Sequence, residues 1–468
     1  MPNFPLNNDS PPESESSAEP VKKIDFSLTS RILQLTIPIA MSGQLETFVG
    51  IAEIFMVGKL GPIAISALGI SQIFTRVLGV SMIAVTRGVM TMIAQAIGAE
   101  SMVRASAAAK QSFSLLFTLS IILSTVGLVI SPYLLPALSL SSEVTELGTP
   151  YLQIFFLAMP FRTLNRAVTS CLHGAGDAKT PFYMSVLSAT VHLLTSYLLI
   201  FGIYGLPQMG VTGAAVGQFL GHTLSAIVGI AILYSGRFGL KLLPETSYRF
   251  EWDLARRILR IGVPSGIQGL LRNGSGLVFV KLIALTSSST AAVAAFAIGN
   301  HMERFLRRAA LSYGTAATTL VGQSLGAKDP DRAESCGWTT LIISIATTIL
   351  LSLPIVLFAE PIMAFFTSAP EVISLGVIYI YFMAVAEPFM CTANTTSGSL
   401  RGAGDTIAPM YYTLISQWLI RLPIAYILAF PLGYGINGIW SSLAIYSAIQ
   451  GFLNIRRFAV GPWKTIEI

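Results

Sequence analysis

The sequence predicts an all-α membrane protein of twelve spanning helices, built as two six-helix halves repeated in parallel. Three observations predict it. First, only 11% of the 468 residues are charged and 53% are apolar, with a mean hydropathy of +0.69. A soluble protein carries roughly 25% charged residues, and a long chain this poor in charge cannot cover its surface with polar groups. Second, apolar runs about as long as the roughly 20 residues of a spanning helix recur along the chain. Third, HGAGDAKTP, starting at His173, returns as RGAGDTIAP, starting at Arg401, 228 positions later.

Residues 1–30 stand apart. They include NNDSPPESESSAEP, which is polar, acidic and proline-rich, so a disordered tail is expected. No short apolar core follows a basic start, so no signal peptide is expected. Twelve spans then follow near 32–58, 65–94, 110–131, 151–170, 182–202, 211–234, 258–285, 292–321, 338–358, 372–394, 408–430 and 436–455.

An even number of spans puts both termini on one side. Lys22, Lys23 and Arg31 precede span 1, and basic residues then collect in alternate loops: Arg104 and Lys110, Lys179, Arg237 to Arg260, Lys328 and Arg332, Arg401, and Arg456, Arg457 and Lys464. The opposite loops hold Lys59 and acids such as Glu143, Glu146, Glu360 and Glu371. The excess of Lys and Arg marks the cytoplasmic face, so both termini are expected in the cytoplasm of a cell that carries the protein in its plasma membrane. SGRFGLKLLPETSYRFEWDLARRILR, between spans 6 and 7, is the polar stretch inside the chain. The expected division is therefore a tail over 1–30, an N-lobe over 31–236, a linker over 237–257, a C-lobe over 258–458 and a tail over 459–468.

The repeat extends well beyond nine residues. At the same offset Gly174, Gly176, Asp177 and Pro181 match Gly402, Gly404, Asp405 and Pro409. Tyr151 matches Tyr379, Pro160 matches Pro388, and Arg76 matches Arg304. AQAIGAESMVRA matches GQSLGAKDPDRA, pairing Gln95 with Gln323 and Gly98 with Gly326. Later the offset drops to 225, with Gly210 and Gly213 matching Gly435 and Gly438. Six spans per copy give both copies one orientation, a parallel repeat about an axis along the membrane normal, as in alternating-access transporters. The GAGD stretches read as tight turns with an Asp to cap the next helix. They are scaffold, and the chemistry is to be sought where the halves differ.

On IPIAMSGQLETFVGIAEIFMVGKLG in span 1, the QxxGA ends of spans 2 and 8 and the paired GAGD turns, the sequence resembles the multidrug and toxic compound extrusion (MATE) transporters over residues 30–458. The resemblance implies two bundles facing each other in a V around a central cavity. It implies export of small organic compounds by a monomer in the lipid bilayer, driven by inward H+ or Na+, with no other cofactor and no nucleic acid. A lipid-linked saccharide flippase of the same superfamily is the alternative, but its extra helices are not seen. An enzyme is disfavoured, because HExxH, P-loop and GxSxG motifs are missing. Cys171, Cys336 and Cys391 suggest neither a disulfide framework nor a metal site.

Ionisable residues inside spans are costly and therefore functional candidates. The acids are Glu46, Glu53, Glu303 and Glu387. Glu46 and Glu53 lie two turns apart on one face of span 1. Glu53, 15 residues after Pro38, falls where the family carries a cation-coupling Asp, which implies that role here. The family's helix-5 Asn and Asp are replaced by His192 and Ser196. Its helix-7 Glu is replaced by Arg272, and its helix-10 Asp by Met390, with Glu387 about one turn earlier. Na+ wants several oxygen ligands, so a lone carboxylate beside a histidine favours H+, with Na+ as the alternative. Glu46 and Arg272 occupy matching positions on spans 1 and 7 and are expected to pair.

Basic residues outnumber these acids: Arg76, Arg87, Arg162, Arg166, Arg272, Lys281, Arg304, Arg307, Arg308 and Arg421 fall within spans. That surplus favours anionic or zwitterionic substrates. Phe48, Phe55, Met82, Met90, Met159 and Met390 are candidates for lining an adaptable cavity.

Overall fold

The computed structural model describes residues 26–138, 141–237, 239–286 and 289–466. Most of the expected tail over 1–30, and the side chain of Arg76, lie outside the described residues. The first half runs α1 (Phe26–Gly58), α2 (Pro62–Gly98), α3 (Met102–Leu134), α4 (Ser142–Ala175), α5 (Lys179–Phe201) and α6 (Val211–Ser235). The second runs α7 (Trp252–Ala284), α8 (Ser289–Gly326), α9 (Pro330–Leu357), a short α10 (Ala359–Phe366), α11 (Pro370–Gly402), α12 (Ile407–Leu414), α13 (Leu422–Ala429) and α14 (Gly435–Val460). α12 and α13 form one span, joined by a π-helical turn over Ile415–Arg421.

Each apolar run of the sequence therefore lies on a helix. Among the described residues, seven helical stretches are long and apolar enough to cross a membrane by length and composition. α2, α4, α7, α8 and α14 reach 26 to 38 residues but carry more polar or ionisable side chains. Helices also outrun the apolar runs, as α4 does with 34 residues, because their ends continue past the apolar stretch. The short α10 was not legible as a separate element: AEPIMAFF merges into its apolar neighbours, and only Ala359 and Met363 are buried.

Each half builds its own core. α4 packs on α2, α3 and α6, and α5 on α6; α11 packs on α8, α9 and α14. Phe113, Leu152 and Phe156 belong to the first core, and Phe279, Ile380 and Trp440 to the second. Met82, Met90, Met159 and Met390 are buried between helices rather than lining a cavity, while Phe48 and Phe55 are exposed. An unbranched thioether fits irregular gaps between helices.

The lobes meet where the repeated motifs lie. Gln95 Nε2 donates to the Gly402 carbonyl at 3.0 Å, and Gln323 Nε2 donates to the Gly174 carbonyl at 3.2 Å. Thr91 Oγ1 donates to the Arg401 carbonyl at 3.1 Å, and Thr319 Oγ1 to the His173 carbonyl at 2.8 Å. Each bond maps onto its twin at the repeat offset. The QxxGA end of either half thus grips the GAGD turn of the other. Gly98 and Gly326 permit this: a Cβ on Gly98 would strike the Gln323 carbonyl, and one on Gly326 the Gln95 carbonyl. We call this the basal lock. The turns themselves repeat, with Gly176 at φ 88° and Gly404 at φ 85°.

The two aspartates of the turns have diverged. Asp177 Oδ1 caps α5, accepting from Lys179 N at 3.0 Å and Thr180 N at 3.1 Å, as expected of the motif. Asp405 instead accepts from Arg457 Nε at 2.7 Å. Between the lobes, the chain after α6 lies along α3, where Lys110 Nζ donates to the carbonyls of Leu243 and Thr246 at 2.7 Å.

Gln95→Ala with Gln323→Ala removes two partly buried hydrogen bonds between the lobes, about 2 kcal/mol together, besides the exposed bond that Gln323 Oε1 accepts from Arg31. That shifts the balance between closed and separated lobe ends on the order of 30-fold. Spin labels on Arg104→Cys and Arg332→Cys, with the native cysteines buried, will report a longer distance population in the double variant. An unchanged distance distribution would show that the bonds do not hold the lobes together.

Candidate functional site

Glu46 and Glu53 share one helix but end in different surroundings. The Glu46 side chain is 73% exposed and lies 3.6 Å from Arg308 Nη1 on α8. Arg308 also donates to the Gly43 carbonyl, and Gln44 Nε2 donates to the Phe305 carbonyl at 3.3 Å. The expected Glu46–Arg272 pair is therefore corrected: α1 packs along α8, so Arg308 takes Glu46. Matching positions in a parallel repeat need not touch.

Glu53 is only 2% exposed. Tyr151 of α4 lies beside its carboxylate, within electrostatic reach, and its Oε1 faces His192 Nε2 of α5 at 4.0 Å. That is ion-pair distance for a protonated histidine and too long for a direct hydrogen bond. Ser196 follows His192 by one turn. Glu53 Oε1, His192 Nε2 and Ser196 Oγ are all buried without a hydrogen-bond partner among the described residues. Gly217 and Gly221 on α6 bring α5 in close, since side chains there would strike Ser196 and Ser188.

Arg162 on α4 lies within electrostatic reach of Glu53. It donates to Gln218 Oε1 at 2.6 Å, with its guanidinium 4.8 Å from the centre of the Phe155 ring. Of the three residues expected to form a coupling site, Glu53 and His192 are brought face to face, Ser196 lies one turn along α5 from His192, and Arg162 is within electrostatic reach of Glu53.

The second lobe repeats part of this arrangement. Tyr379, the twin of Tyr151, donates to Glu303 Oε2 at 2.6 Å. Arg307 Nη1 bonds Glu303 Oε1 at 2.6 Å and also senses Glu387. Glu387 is buried, with Oε2 unpartnered among the described residues. Arg421, at the end of the π turn, stacks over Phe279 at 3.9 Å and Tyr446 at 4.8 Å. Arg304 Nε bonds the Asn300 carbonyl of its own helix at 3.2 Å. Arg272 sits within electrostatic reach of Arg87 and Arg307. None of Arg166, Arg272 and Arg401 makes an ion pair with an acid among the described residues.

Sequence reasoning missed Tyr151 and Tyr379 as partners of the carboxylates, although their repetition was visible. It also missed Gln218, which has no counterpart in the second half: the matching position is Leu443. A carboxylate in an apolar bundle with a bare oxygen can take a proton on that oxygen.

Known proteins agree with this architecture. The MatE family model matches residues 38–198 and 264–427, one stretch in each half. A probable multidrug resistance protein NorM of Thermotoga maritima is 27% identical over 443 residues, covering 93% of both chains. A probable multidrug resistance protein YoeA of Bacillus subtilis is 25% identical over 466 residues, covering 97% of this chain and 99% of its own. A MOP superfamily transporter from Pyrococcus furiosus superposes with a TM-score of 0.83 at 20% identity, over 92% of this chain and 95% of that one. The eukaryotic MATE transporter AtDTX14 superposes with a TM-score of 0.79 at 20% identity, over 94% and 97%. Two lobes, a repeated fold and a family match in both halves lead to one conclusion: the chain belongs to the MatE family, the MATE multidrug efflux transporters.

Proposed function

We propose that this transporter exports small organic compounds by alternating access, in exchange for protons taken up on Glu53. It works as a monomer in the plasma membrane, with both termini cytoplasmic. The observation that carries this reading is the Glu53 carboxylate, buried beside Tyr151, with Oε1 bare and 4.0 Å from His192. A buried charge of this kind costs about 3 kcal/mol in a membrane helix, so a neutral, protonated carboxylate is a stable alternative state. Na+ is the weaker candidate for coupling. It needs several oxygen ligands and no adjacent cation, whereas the Arg162 guanidinium lies within electrostatic reach of Glu53.

The substrate reading rests on charge. Arg166, Arg272 and Arg401 lack an acid partner among the described residues, and Arg162 spends its strongest bond on an amide. Uncompensated guanidinium groups in low dielectric repel organic cations and attract anions. Anionic or zwitterionic amphiphiles are therefore handled at least as well as cations.

Two outcomes are expected in liposomes. Glu53→Gln, which keeps the shape and removes the titration, abolishes transport driven by an imposed proton gradient while the protein still inserts and folds. An imposed Na+ gradient drives wild-type transport at no more than about a tenth of the proton-driven rate, in line with the missing oxygen ligands. Normal proton-driven transport by Glu53→Gln would defeat the assignment. For the substrate, organic anions are expected to displace a bound fluorescent substrate, and Arg272→Gln to weaken that displacement about tenfold, one buried charge contact. Displacement by organic cations alone would return the arginines to a scaffolding role.

A further inference from the structure

We infer that the basal face of the second lobe holds the headgroup of an anionic phospholipid, in a cavity between α7, α12 and the end of α14. The cavity has a volume of about 830 Å³. One wall is basic, formed by Arg257 and Arg260 from the second and third turns of α7 and by Arg457 of α14. The other is apolar, formed by Ile407 and Tyr411, whose outer faces are exposed. Arg457 is engaged by Asp405, while Arg257 and Arg260 are exposed and make no ion pair among the described residues. Thr406 also lines the cavity; it is 4% exposed, and its Oγ1 has no hydrogen-bond partner among the described residues.

Three features select a lipid over a free anion. Trp252, 65% exposed at the start of α7, marks the level of the headgroups, where tryptophan concentrates. The basic residues beside it are of the kind that binds anionic headgroups next to membrane helices. The apolar wall suits an acyl chain and would be idle beside a small soluble ion. A phosphate between Arg257 and Arg260 receives their donors, the Thr406 hydroxyl gains an acceptor, and the chain runs out over Ile407 and Tyr411. A zwitterionic headgroup would bring a further cation to this arginine wall. The first lobe has no equivalent: Ile232 stands where Arg457 does at the later repeat offset, and Asp177 is occupied as a cap. The cavity includes Gly404, Asp405 and Thr406, which continue the turn whose Gly402 carbonyl takes Gln95. A bound headgroup therefore braces one half of the basal lock.

The test uses the full chain in neutral detergent, with lipid retention read by native mass spectrometry. The probes are phosphatidylglycerol, phosphatidylcholine of the same chains, and inorganic phosphate. Phosphatidylglycerol is expected to be retained over phosphatidylcholine and not to be displaced by phosphate. Arg257→Gln with Arg260→Gln should weaken its retention about fivefold for each arginine removed. Arg256→Gln, exposed on the same helix but outside the cavity, should leave it unchanged. Thr406→Val, nearly isosteric, should weaken it as well, and it decides the question if the arginine variant fails to fold. Equal retention of both lipids, full displacement by phosphate, or wild-type retention by the arginine and threonine variants would overturn the proposal.

Discussion

A carboxylate inside an apolar helix bundle must be paired or neutral, and this constraint shapes the interior of both lobes. Each lobe places a tyrosine from the fourth span of its repeat beside such a carboxylate. Tyr379 satisfies one oxygen of Glu303, and Arg307 satisfies the other. Tyr151 lies beside Glu53, but Glu53 Oε1 faces His192 across 4.0 Å with no hydrogen bond among the described residues. Glu303 is thus satisfied on both oxygens, whereas Glu53 in the first lobe and Glu387 in the second each keep a buried oxygen without a hydrogen bond among the described residues.

The basal lock is the other consequence of duplication. Each half presents both a gripping helix end and a turn to be gripped, so one contact appears twice about the repeat axis. The lock and the Glu53 site share their helices. α5, which carries His192, begins just after the turn whose Gly174 carbonyl takes Gln323. α1, which carries Glu53, contributes Arg31, whose guanidinium donates to Gln323 Oε1 at 3.1 Å. A change in the attraction between Glu53 and His192 thus acts on two helices whose basal ends both reach Gln323. Small shifts there are enough, because close-packed interfaces switch between arrangements rather than deform smoothly.

Much of this was legible in the sequence. Charge poverty and the length of the apolar runs set the number of spans, because lipid admits little else. The constant offset set the pairing of the halves, and it placed Gln95, Gln323 and both turns in equivalent positions. What the offset could not show is that equivalent residues touch across the axis, so the GAGD turns read as scaffold when they are half of a contact. Glu53, His192 and Ser196 were singled out by the family resemblance, Glu53 at the position of the family's acid and the other two as departures from its pattern, and all three lie in one lobe. The Glu46–Arg272 pair failed because it required knowing which helices face each other across the lobes. The π turn before Arg421 left no mark, since inserting it changes neither composition nor helix length: α5 and the span from Ile407 to Ala429 have 23 residues each.

If Glu53 is the carboxylate that a proton completes, its protonation governs the separation of the lobes. The most direct measurement is the distance between labels on the two basal helix ends in nanodiscs while the pH falls from mildly alkaline to mildly acidic. The distance populations are expected to redistribute in the wild type and to stay fixed in Glu53→Gln. A redistribution that persists unchanged in Glu53→Gln, or none in the wild type, would contradict control of the lobes by this proton.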